Sequence, residues 1–541
     1  MGRRRTLQPL LFSILFGLVV AAAHGQESES FSVNFQTSDI NFNPIISYTT
    51  TEAQIYTAIY EGLVTYDPYS LDPLPATASR WEISDDGRIY RFTLRSSARY
   101  SNGDTVVAAH FRDTWLELLS PEMDAPYASL LDIVVGARAY RTGENIDPNS
   151  VGIRAISDRV LEVELETRAT HFLRILCHHS FVAVHPDMLG RETWSEQEPI
   201  VGNGPYVIES VSDEEMVLPG NEYYWDERNV DISILSLRFS DDFEAVTAAF
   251  NAGALNWVRD GINLDDVQRR DNIVVNPLFA TTYFQVSATA EPFDDARVRR
   301  AFALLLPWDE IRSEEYQYLP TTTLVPAIPF YPEVEGIAAA DSERALELLD
   351  AAGFPDGARL PAVTITIPGG PENDRIAGIM VDTWQSALGI DVTVETVLYP
   401  EYFDLVDSEQ FTISTISWIG DFADPLTFLD MWTTGSNLNN SRYSNSEYDD
   451  LVRRAMGETG NERYETLARA EEILLWDAVV LPISHSPSIN LIDLELIDGW
   501  YPNPLDVHPF KFLSFSSGKP IPNVALGEET PETRIRSVHP R

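Results

Sequence analysis

Ser417-Trp418-Ile419-Gly420-Asp421-Phe422-Ala423-Asp424-Pro425-Leu426-Thr427-Phe428 decides how the chain is read. The residues before it, Phe411 to Ile416, alternate and are β-branched, which predicts a buried strand. After it, Asp424 with Pro425 reads as an N-cap and a first-turn proline, opening a helix through Leu429. Asp421 then falls in the strand-to-helix turn, beside Trp418 and Gly420. In open α/β sheets, ligands bind beyond the carboxyl ends of the strands. A carboxylate and an indole there suit a cationic group that needs a counter-charge and a flat apolar wall. Asp424 has a sufficient role as a cap. Asp421 has no such local role and reads either as a site residue or as a solvated turn residue.

Outward from this stretch the same rhythm continues. Asp341-Ser342 caps a run in which Ala345, Leu348, Leu349 and Ala352 share one face, ended by Gly353 and Pro355. A second helix is expected over Asp374 to Leu388, stopping at Gly389 before a strand over Asp391 to Val397. This β-α-β pattern argues for a parallel sheet flanked by helices. Nearer the N-terminus, Tyr90, Phe92 and Leu94 alternate with polar residues, as do Leu161, Val163 and Leu165, giving half-buried strands. Residues 519–541 are rich in proline and charge and read as a disordered tail.

Arg3, Arg4 and Arg5 precede an apolar run, Leu10 to Val20, that is too short to span a bilayer. With the small residues at 21–25 this reads as an export signal, residues 1–25. No cysteine directly follows it, so a lipid anchor is not expected and the mature chain is placed in the periplasm. Cys177 is the only cysteine, which excludes an internal disulfide. The 541 residues suffice for a large core without staples.

Acidic residues number 83 against 38 basic ones, and the only lysines are Lys511 and Lys519. A net charge of −45 repels nucleic acid and anionic membrane surfaces, so neither is an expected partner. Such a surface fits a salty medium, where counter-ions screen the repulsion. No P-loop, Gly-x-Ser-x-Gly elbow or His-Glu-x-x-His occurs, and no nucleophile-base pair stands out. His178-His179 with His171 and His185 lack a known metal-ligand spacing. No catalytic residue, metal site or cofactor is expected.

Several segments together resemble the family 5 extracellular solute-binding proteins. They are Trp81-Glu82-Ile83, Gly87, Tyr90 to Arg95, Tyr100-Ser101-Asn102-Gly103-Asp104, Asn43-Pro44 with Tyr60-Glu61-Gly62-Leu63, and Asn203-Gly204-Pro205-Tyr206. Phe293 to Ala301, Leu348 to Phe354 and the Trp418 stretch follow in the family's order, over about residues 31 to 515. The resemblance implies an α/β, periplasmic-binding-protein-like (type II) fold of two lobes, with an extra domain inserted in the first. The expected division is 26–60, 196–286 and 485–518 for lobe I, 61–195 for the insertion, and 287–484 for lobe II. Chain crossings are expected near Gln285 to Ala288 and Leu481 to His485. The implied partners are a peptide ligand and the permease subunits of an ABC transporter, with the binding protein a monomer.

Carried over by position, Asp421 would take a ligand's α-ammonium group, and Trp418, with Ser417, Ile419 and Gly420, would line the pocket. Tyr127 matches a pocket tyrosine. Tyr48, Thr49 and Thr50, after Ser47, match a stretch whose backbone pairs with an extended peptide. His485 stands where relatives have an aromatic residue, and reads as a cleft residue or a packed one. The sequence departs from the pattern in one respect: Glu401 to Ser417 contains no Arg, Lys or His to receive a peptide carboxylate. Related proteins bind oligosaccharides or metal chelates, so the same fold with a non-peptide solute is the alternative, and a secreted hydrolase is a further one.

Overall fold

The computed structural model describes residues 30–516 apart from 37, 48, 192–193, 195–198, 260, 314–318, 399–400 and 423. The expected export signal, the expected tail and Tyr48 lie outside the described residues.

Ser30–Phe35 is the middle of a seven-stranded sheet. It pairs in parallel with Ile234–Phe239 on one side and with Trp257–Val258 on the other. Phe31, Val33 and Phe35 are fully buried, and Asn34 on the opposite face is buried as well. A central strand covered on both faces reads this way. Glu215–Pro219 and Ser210–Val211 extend one edge, and Pro487–Ile492 and Ile273–Pro277 the other.

The second sheet has five strands, in the order Val392–Thr396, Val363–Ile367, Ile413–Ile419, Ala280–Val286, Val480–Ser484. The first three run parallel and carry the expected β-α-β crossovers. Helix Pro371–Leu388 makes the first of these, ending at Gly389 in the left-handed region (φ 66°). Asp341 caps helix Ser342–Ala351 by accepting from the Arg344 N–H. The last two strands run antiparallel.

The chain passes between the two sheets twice. It leaves the seven-stranded sheet after Pro277 and enters the five-stranded one at Ala280. It returns between Ser484 and Pro487. The first passage therefore precedes the one expected at Gln285 to Ala288. The reason is that Ala280–Val286 is a central strand with buried residues on both faces, so no change of pattern marks where it starts.

A third, antiparallel sheet of four strands comprises Ala78–Ile83, Ile89–Leu94, Val160–Glu164 and Ile153–Ser157. Its inner residues Phe92, Leu94, Leu161 and Val163 are fully buried, while Arg91 and Glu162 pair on the outer face at 2.6 Å. The core beneath it is continuous with Trp418, Phe422, Phe428 and Trp432. The same face is tied by Arg141, which donates to Asp132 (2.7 Å), the Gly435 carbonyl (2.9 Å) and Asn437 Oδ1 (2.7 Å). Among the described residues, no helix is long and apolar enough to cross a membrane.

Strand Ile413–Ile419 runs three residues further than its apolar pattern suggested, so Ser417 and Trp418 belong to it. Helix Leu426–Leu429 follows. The N-cap of that helix is Pro425 and not the expected Asp424, because the helix starts one residue later than the sequence suggests. Asp424 Oδ1 accepts from the Leu426 N–H (3.0 Å) from just outside the helix, and Arg463 binds both Asp424 oxygens at 2.7 and 2.8 Å, with both side chains buried. Asp424→Ala leaves Arg463 buried and unpaired, a loss on the order of 3–5 kcal/mol. Chemical denaturation should show the midpoint falling accordingly, while ligand affinity below the transition is retained.

Candidate functional site

Between the two larger sheets lies a cavity of about 1000 Å³, at the upper end of small-molecule sites. Its walls come from the ends of Ile413–Ile419 and Ala280–Val286, from the first turn of helix Thr50–Ile59, and from the His178-His179 segment.

Asp421 reaches the wall because of how the strand ends. The Gly420 N–H donates to the Phe279 carbonyl (2.8 Å), continuing the pairing with the neighbouring chain one step past the strand. A Cβ on Gly420 would meet Phe279 and Thr427 side chains at 2.8 Å, so only glycine lets the backbone turn there. Thr427 then closes the turn, accepting from the Asp421 N–H (2.8 Å) and donating to its Oδ2 (3.1 Å). Tyr66, from the far side, donates to the Asp421 carbonyl (3.0 Å).

The Asp421 carboxylate is 7% exposed. Hydroxyls of Thr427 and Tyr127 donate to it, yet desolvation outweighs them and pushes its pKa up to about 7. His178 Nε2 stands 3.7 Å from Oδ1. Burial, and then its neighbour His179, hold His178 well below the usual imidazole range, and burial takes His179 down to about 4. The contact is therefore not an ion pair. Among the described residues no cation meets this dry carboxylate, and rings of Tyr127, His178 and His179 cluster beside it, tilted or edge-on, with centroids 4.0 to 5.7 Å from one another.

Trp418 lies opposite Thr281 in the sheet register and is 8% exposed. Its indole N–H is buried with no acceptor among the described residues. Ser417 pairs with Thr282, and their hydroxyls are 2.5 Å apart. Ser417, Trp418, Ile419, Gly420, Asp421, Tyr127, Thr49 and Thr50 all line the one cavity.

Thr49 and Thr50 lie where a helix begins: Thr50 opens it, and Thr49, its backbone still extended (φ −92°, ψ 147°), is the N-cap. Glu52 accepts from Thr49 N–H while Thr49 Oγ1 accepts from Glu52 N–H, a capping box with the sequence signature Thr-x-x-Glu. Ser47 and the Asn41 N–H also donate to Glu52, which fixes the segment. His485 lies outside the cavity lining, where its Nδ1 bonds Thr281 Oγ1 at 3.0 Å and burial lowers it to about 4.

The four histidines do not converge, and no three His, Cys, Asp or Glu among the described residues are grouped to hold a metal. His171 lies beside Phe422, and His185 bonds Asp104 (3.1 Å). Sequence reasoning missed His178 and His179 as cleft residues, their adjacency being the sole signal. It missed too the buried pair Lys511–Glu61 (2.8 Å) on the same cavity wall.

The raised pKa of Asp421 has a definite sign. Between about pH 4 and 7 the folded state holds a proton that the unfolded state has lost, so stability falls as pH rises through that window. Asp421→Asn should therefore stabilise the ligand-free protein at pH 8 by up to a few kcal/mol, because each pH unit of the window is worth about 1.4 kcal/mol. The difference should vanish near pH 4, as read by thermal unfolding across pH.

Comparison with known proteins places this architecture. The family model for bacterial extracellular solute-binding proteins, family 5 (middle), matches residues 72–440. The dipeptide-binding protein DppE of Bacillus subtilis is 27% identical over 478 residues, covering 85% of this chain and 87% of its own. YgiS of Escherichia coli, named a probable deoxycholate-binding periplasmic protein, is 29% identical over 462 residues, covering 82% and 85%. The structure of the E. coli murein tripeptide-binding protein MppA superposes with a TM-score of 0.80 at 25% identity, covering 90% of this chain and 99% of that one. The unliganded open form of MppA gives 0.61 at the same identity. The two lobes here are thus disposed as in the first structure rather than the open one. The chain belongs to the family 5 bacterial extracellular solute-binding proteins, with their two-lobed type II fold.

Proposed function

We propose that this chain is an extracytoplasmic, non-enzymatic binding protein that captures peptides between its lobes and delivers them to the permease of an ABC importer. The observation that carries the reading is the Asp421 carboxylate at the cavity wall, dry and met by no cation among the described residues. A carboxylate removed from water costs several kcal/mol unless a cation meets it. A peptide's α-ammonium supplies that cation, with Trp418 and the Tyr127–His178 rings as apolar walls. The relatives named for dipeptides and murein tripeptide support this ligand class. Closure would hinge on the passages at 278–279 and 485–486, each only two residues long. Export, a periplasmic location and a monomeric state complete the proposal.

The YgiS relationship favours a second reading, an amphipathic bile-acid-like solute. Such a ligand is a carboxylate and would meet Asp421 with like charge.

Thermal unfolding with a free-amino tri- to pentapeptide pool, beside the same pool N-acetylated, tests the reading. Ligand at about a hundred times its Kd adds roughly 2.7 kcal/mol of stability. Stabilisation by the free pool alone is expected; stabilisation by deoxycholate alone would move the assignment to the second reading. Calorimetry with Asp421→Asn at pH 8 should show free-amino peptides weakened by about 2–5 kcal/mol, the scale of a truncated buried charge pair. In the native protein, capture below pH 7 expels the Asp421 proton, so affinity should rise up to about pH 7 and fall again above about pH 8, where the peptide's α-ammonium loses its own proton.

A further inference from the structure

A free peptide brings a carboxylate as well as an ammonium, and the chemistry of the cavity treats the two ends unequally. Lys511 is the only Lys or Arg among the described lining residues. Its Nζ lies 2.8 Å from Glu61 Oε1 and 3.2 Å from the Tyr224 hydroxyl, and both charged side chains are buried. Glu61 also accepts from Trp225 Nε1 (2.6 Å) and Thr77 Oγ1 (3.2 Å), so the pair is locked into a network. Withdrawing Lys511 to serve a ligand would strand Glu61 as a buried, uncompensated charge.

The remaining basic groups on the wall, His178 and His179, are held neutral by burial. None of the undescribed residues between 30 and 516 is Lys, Arg or His. Acidic groups, by contrast, come from both sides of the cleft. Asp404 is exposed on helix Glu401–Asp407, Asp39 is exposed just after strand Ser30–Phe35, and Asp421 belongs to the same lining. In a chain this acidic their number alone says little. What decides is that the one lysine is already engaged.

We infer that the cleft selects cationic peptides and leaves the ligand's carboxylate without a charged receptor. This rests on the peptide-binding reading and narrows it to one substrate class: peptides with basic side chains or a neutral C-terminus. Low-dielectric walls focus the field of the acidic groups into the cleft, so the preference is a property of the cavity and not only of the surface.

The test is calorimetry of the full chain at pH 8 and 0.15 M salt with Ala-Lys-Lys-Ala and Ala-Glu-Glu-Ala, each as free acid and as C-terminal amide. The amide should bind at least as tightly as the acid, and the lysine peptide at least tenfold tighter than the glutamate one. The double variant Asp39→Asn with Asp404→Asn should cut that ratio at least threefold. Glu343→Gln, an exposed change on helix Ser342–Ala351, should leave it alone. An amide tenfold weaker than its acid, a glutamate peptide as tight as the lysine one, or a ratio indifferent to the double variant would each overturn the inference. If no peptide binds in either form, the peptide reading itself falls and takes this one with it.

Discussion

The cleft is organised around a carboxylate kept out of water. Asp421 is held by Thr427, Tyr127 and the Gly420 turn, none of which carries positive charge. Burial without a counter-ion is unfavourable, and the protein carries that cost whenever no cation is bound. The neighbouring Asp424 shows the other solution, complete neutralisation by Arg463. Two aspartates three residues apart therefore divide the labour. One fastens the turn into the core, and the other stays available to a ligand.

The same division runs through the fold. The two larger sheets each bury their own apolar faces, around Phe31, Val33 and Trp257 in one and Phe284, Ile365 and Trp384 in the other. Little covalent chain joins them, so the polar groups between them are left to serve a ligand. The four-stranded sheet shares its core with the Trp418 to Trp432 segment, which braces the strand end bearing the site. Site precision thus comes from packing behind the wall together with the Tyr66 hydroxyl that reaches the Asp421 carbonyl from the far side.

How much of this was legible depends on sequence distance. The strand, the Asp421 turn and the Asp424 bond to the Leu426 N–H lie within a dozen residues, where alternation and turn chemistry speak directly, although the N-cap falls on Pro425 and not on Asp424. The start of Ala280–Val286 was hidden because a strand buried on both faces has no alternation to read. Thr49-x-x-Glu52 carries a legible capping signature, and it places Thr49 at the start of a helix on the cavity wall. His178 beside Asp421, and Lys511 beside Glu61 across 450 positions, arise only from tertiary folding and leave no local trace.

The scarcity of lysine has a practical side. Lys511 is sealed against Glu61, and Lys519 is the only other lysine in the chain. Even after unfolding, an amine-directed reagent therefore has only these two lysines and the α-amino group to modify on the protein. A peptide cargo that co-purifies and is released by unfolding would carry its label against that small and known background.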